Sequence, residues 1–220
     1  MKKHPVASVA MLFLALASAN ADVCSPPRLL KIVVEDRSPD MSGHDYGALP
    51  RTIYRYRTTF ARIEEPIDAA NNIHGLIVFN EPNAWIVNLS KREGTHLVDN
   101  TPPLIVRVAL FADRARDESF PRELLSLEFG CEKEFFDRRK AREEPVPGNS
   151  SGRVQQTFAI GEWKAVLVRQ NSALTPLLAL LLHGDKVATS VTYRRYEIVA
   201  ADMKLFEKPL GIQFREGQRK

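Results

Sequence analysis

The side chains able to do chemistry are few and scattered along the chain. Beyond the N-terminal stretch the histidines are His44, His74, His96 and His183, and none stands in an H-E-x-x-H or H-x-H spacing that would bring two imidazoles to one metal locally. A metal or acid–base centre therefore has to be assembled from separate segments. His74 beside Gly75, and His96 near Asp99, lie at the ends of neighbouring β segments. If the intervening turn folds back, His74, His96 and Asp99 meet, and the chain becomes a secreted hydrolase or metal-dependent enzyme. His44 with Asp45, in a polar loop, is a further candidate.

Gly148-Asn149-Ser150-Ser151-Gly152 matches G-x-S-x-G, the turn that exposes a nucleophilic serine between a strand and a helix. Its surroundings do not fit. Pro145 and Pro147 occupy the place of the buried strand, and the residues after Gly152 alternate as a strand does. The motif reads as a flexible loop. No phosphate-binding glycine loop, dinucleotide fingerprint or zinc-finger spacing occurs, so no cofactor is expected.

A different chemistry is suggested by Tyr54-Arg55-Tyr56-Arg57 and Tyr193-Arg194-Arg195-Tyr196. In an extended chain Arg55 and Arg57 project together, and with Arg194 on a neighbouring strand they would form a basic face for an anionic ligand bearing carboxylate or phosphate. The competing reading is cross-strand ion pairing with Glu35, Glu128 or Glu197.

Basic residues at positions 2–3, an apolar run over 9–17 and the small-x-small site Ala19-Asn20-Ala21 form the three parts of a secretory signal peptide, with cleavage expected after Ala21. The apolar run is short of the ~20 residues of a bilayer-spanning helix, so no transmembrane span is expected after cleavage. Removing 1–21 takes two lysines and no acid, which lowers the net charge from +4 to +2. So small a charge gives no reason to expect nucleic-acid binding. Another envelope protein, or the anionic ligand, is the expected partner, in the periplasm or outside the cell.

Export makes a disulfide between the two cysteines, Cys24 and Cys131, the expected state. Closing so long a loop restricts the unfolded chain by about 4.7 kcal/mol in the entropy model. Cys24 is also close enough to the cleavage site to be read as a lipid-bearing residue, although the branched Val23 before it argues against processing there.

These residues need a scaffold, and the hydrophobic pattern supplies a β one. The chain is organised around residues 73–89, where two apolar arms flank Asn80-Glu81-Pro82-Asn83 and predict a hairpin covered on both faces. Further strands are predicted at 28–35, 52–63, 95–98, 104–111, 123–129, 154–160, 163–169, 177–182, 187–199 and 203–206, where 177–182 fits a buried strand or a buried helical turn or two. One helix is predicted at 132–144, with acids first, bases later, and Pro145 as its stop. The expected fold is mainly β, an antiparallel β-sandwich or barrel-like sheet with one short helix, in a single domain over 22–220.

Overall fold

The computed structural model describes residues 23–41, 46–148, 152–171 and 175–218. The expected leader, the His44–Asp45 pair and the serine of the G-x-S-x-G motif lie outside the described residues. The fold is mainly β, a twelve-stranded open sheet with one short α-helix.

In chain order the strands are β1 (Leu30–Asp36), β2 (Arg51–Tyr56), β3 (Phe60–Asp68), β4 (Ile73–Asn80), β5 (Asn83–Asn88), β6 (Glu93–Val98), β7 (Glu143–Pro145), β8 (Arg153–Ile160), β9 (Trp163–Gln170), β10 (Pro176–His183), β11 (Lys186–Ile198) and β12 (Gln213–Gln218), and the helix α1 is Glu132–Arg138. Across the sheet they run β12-β6-β5-β4-β3-β2-β1-β11-β10-β9-β8-β7. Strands β1 to β6 form a meander that moves outward from the middle, and β7 to β11 form a second that moves back from the far edge. All pairs are antiparallel except β12 with β6.

Such a topology forces the chain from one edge to the other between β6 and β7. Residues 99–142 make that crossing over one face, here the inner face, as 3-10 turns at Ala112–Arg116 and Arg122–Ser126 followed by α1. Val106, Phe111, Leu124, Leu127, Phe129 and Phe136 of the crossing pack with inward residues from both meanders, among them Ile32, Ile53, Phe79, Leu167 and Leu181. A sheet of more than ~10 strands tends to curl, and this filling occupies the hollow.

The opposite, outer face has its own apolar cluster over the first meander. Leu76, Val78, Trp85 and Val87 are covered by Phe206 and by the partly buried Leu205, Ile212 and Phe214 of the C-terminal segment. The β4–β5 hairpin is thus buried on both faces, as its unbroken apolar arms predict.

Several local expectations change once tertiary contacts are present. Residues 52–63 form two strands, because Arg57 adopts a left-handed φ of 52° and opens a turn there. Residues 104–111 and 123–129 run over the sheet instead of joining it, and pair only through a single bridge, Ala109 with Glu128. Residues 203–206 form a 3-10 turn and α1 ends at Arg138. Among the described residues no helix is long and apolar enough to cross a membrane.

Candidate functional site

Arg55 sits on β2 with Ile53, facing inward, while Tyr54 and Tyr56 face the outer cluster. Its side chain is 0% exposed. Nη2 donates to Glu128 Oε2 at 3.2 Å, and both terminal nitrogens approach the Val106 carbonyl oxygen at 3.4 Å. Glu128 also accepts from Arg107 and from the Val108 amide at 3.1 Å. Burial pushes the Glu128 carboxyl above its ordinary range, against the pull of Arg55, the Val108 N–H and Arg107. A guanidinium does not give up its proton in such a place, and its contact with Glu128 fastens the crossing to the sheet.

A second polar knot lies at the start of α1. Gly130, at φ +92°, turns the chain where a Cβ would stand 3.1 Å from Pro26 and 3.2 Å from Leu30. Cys131 then bonds to Cys24, fixing the beginning of the described chain to the end of the crossing. The next residue, Glu132, is buried and accepts from Tyr193 Oη at 2.9 Å, Tyr196 Oη at 3.2 Å and the Gly130 amide at 3.1 Å. Burial raises its carboxyl to about 7, opposed by these donors. Burial, followed by the neighbouring Glu132, raises both tyrosines, so they remain donors.

The expected basic face is not formed. Arg55 points inward and is enclosed, Arg57 stands in the turn and lies over the Tyr56 ring at 5.1 Å, and Arg194 is on the outer face of β11. Strand β1 separates β2 from β11. The physical reason is the turn at Arg57, which ends the alternation, together with a bulge opposite Val33 and Val34 that places Arg194 out of register. The competing ion-pair reading describes two of the three: Arg55 with Glu128, and Arg194 with Glu35 at 2.7 Å. Arg194 and Arg37 hold the Glu35 carboxyl below its ordinary value, Arg194 contributing most.

His74, His96 and Asp99 also remain apart. His74 begins β4 near Asn88, whereas His96 on β6 stands opposite Trp85, two strands across and several residues along, roughly 15 Å away. Nδ1 of His96 lies 2.7 Å from Glu216 Oε2, Nε2 lies 2.9 Å from Asn83 Oδ1, and the ring stacks on Trp85. Asp99 caps the backbone of Thr101. Among the described residues no three His, Cys, Asp or Glu side chains are grouped to hold a metal.

What sequence reasoning passed over is the outer face of the second meander. Strand β10 buries Ala179 and Leu181 inward, but Leu178, Leu180 and Leu182 point outward and are only half-buried. They stand beside Val168, Val166 and Lys164 of β9, and Val187 of β11 extends the row. These apolar residues belong to neither apolar cluster. Of the two readings of 177–182, a buried strand or a buried helical turn or two, the structure shows the strand, buried on one face and half-buried on the other. The alternation that reveals this is visible on β9, in Lys164, Val166 and Val168 against Ala165, Leu167 and Arg169, but on β10 a leucine-rich run, apolar on both faces, hides it.

The chain matches no protein-family model and no curated protein. Among solved structures it is similar to an uncharacterized conserved protein from Thermus thermophilus, at 10% identity and a TM-score of 0.47, over 87% of this chain and 91% of that one.

Proposed function

We propose that this protein is an exported, non-catalytic binding module of the cell envelope, periplasmic or secreted, folding as one domain over 22–220 and recognising another envelope protein. The observation that carries this reading is the use to which the charged and reactive groups are put. Arg55, Glu128 and Arg107 secure the crossing, Glu132 and two tyrosines anchor α1, and the two sulfurs are joined. Chemistry that would otherwise serve a substrate serves the interior. The surface left available for recognition is a sheet face.

The disulfide supports an oxidising compartment, since cytosolic thiol pools keep most such pairs reduced. The test is expression of the complete chain in a bacterium followed by fractionation and intact-mass measurement. The expected product is periplasmic, lacks residues 1–21 and is lighter by the two hydrogens lost on joining Cys24 to Cys131. A cytoplasmic product of full mass with two free thiols would overturn the proposal, and acyl mass on Cys24 would replace it with a lipid-anchored protein.

A further inference from the structure

We infer that the outer face of β8 to β11 is a docking site for an amphipathic helix of a partner protein, apolar along one side and acidic along its flanks. The inference deepens, and rests on, the binding-module reading above. Its centre is the ladder of Val166 opposite Leu180 and Val168 opposite Leu178, continued by Leu182 and Val187. The ladder spans β9 and β10 over some five residues of each, with Val187 of β11 at one end and the polar Ser190 and Thr192 of β11 opposite Leu180 and Leu178, an apolar patch about 10 Å by 14 Å. That is well short of the ~800 Å² per partner that a stable dimer interface needs, but it matches the ~10–12 Å width of a single helix.

Charge at the border selects among occupants. Lys164 stands at one end of the ladder, and Arg153 and Arg195 lie on the same face toward the other. Arg153 and Arg195 are exposed and make no described ion pair, while Lys164 reaches Asp185 only at 3.9 Å. A second copy of this chain would bring the same cations against themselves. A helix with glutamates beside its apolar stripe would instead pair with them, and exclusion of water by the apolar centre would strengthen each pairing. From the level of Lys164 to that of Arg153 is about six residues of strand, roughly 20 Å, which some 13 residues of helix would span.

The experiment uses the disulfide-intact mature protein and two fluorescent synthetic helices of about 18 residues with the same leucine stripe, one flanked by glutamate and the other by lysine. The glutamate-flanked helix is expected to bind at least about tenfold more tightly than the lysine-flanked one. Leu180→Asp should weaken it by about tenfold or more, and Leu180→Thr, which keeps a strand-forming side chain, should weaken it by a smaller factor with an unchanged circular dichroism spectrum. Arg153→Glu with Arg195→Glu should reverse the preference between the two helices.

Equal binding of both helices, or binding indifferent to Leu180, would overturn the proposal. Two other outcomes would also overturn it in favour of a different occupant: Leu180-dependent binding to phosphatidylglycerol vesicles without helix binding, or a Leu180-dependent dimer in sedimentation. The processed mass and joined sulfurs are read independently, so the failure of this site is distinguishable from the failure of the export reading.

Discussion

The two meanders present the same kind of outer surface and treat it in opposite ways. Over β2 to β6, Leu76, Val78, Trp85 and Val87 lie beneath the protein's own C-terminal segment, with Phe206 against Phe60 at a ring separation of 5.3 Å. Over β8 to β11, Val166, Val168, Leu178 and Leu180 form a comparable ladder that belongs to neither apolar cluster. The first surface is an intramolecular interface, supplied by the chain after β11 doubling back across the strands and pairing as β12 beside β6. Among the described residues neither the crossing, which packs on the inner face, nor the C-terminal segment joins the second row in an apolar cluster.

Substitution on the covered face should cost the most. Phe206→Ala removes a fully buried ring and should lower the unfolding free energy by about 3–5 kcal/mol, read from the urea midpoint at constant slope. A loss below about 1 kcal/mol would mean that the C-terminal segment only rests on the sheet, and the contrast between the halves would disappear.

The inner face holds both halves together and should respond to pH through Glu132. Its folded-state value of about 7 lies above the ordinary 4.5, so the protonated form is the one the fold favours. The stabilisation is complete below pH 4.5 and is lost as the pH rises through about 7. The loss amounts to about 3 kcal/mol at 1.36 kcal/mol per pH unit. Urea titrations of the native protein and of Glu132→Gln across that window measure it, and the native protein should lose stability relative to the variant. Parallel curves would show that Glu132 is not enclosed by Tyr193 and Tyr196 as described.

On the bare face the effects should be small. Leu180→Thr should change the unfolding free energy by less than about 1 kcal/mol while disturbing helix binding, which separates a surface kept for recognition from one kept for stability. Arg194→Ala, which removes the half-exposed partner of Glu35 but leaves that carboxylate paired with Arg37, should lower the unfolding free energy only slightly, read from the urea midpoint. A clear destabilisation by either change would mean that this face is structural.

The sequence by itself determined the class of fold and the hairpins. A strand's apolar pattern and its turn residues are local, and Asn80-Glu81-Pro82-Asn83 and the glycine turns after β8 and β10 are legible where they stand. Pairing of Cys24 with Cys131 was also legible, because two cysteines can make only one intramolecular bond.

Tertiary structure alone decided what the charged residues do. The positions of Arg55 and Arg194 in the sequence carry no record of β1 between their strands or of the opposite faces they occupy. Segments 104–111 and 123–129 have strand-like composition, yet their backbone lies across the sheet because the chain must pass from β6 to β7 over the inner face. The difference between a covered and an uncovered apolar row has the same origin. Both rows look alike locally, and which one is buried depends on where a segment distant along the chain comes to rest.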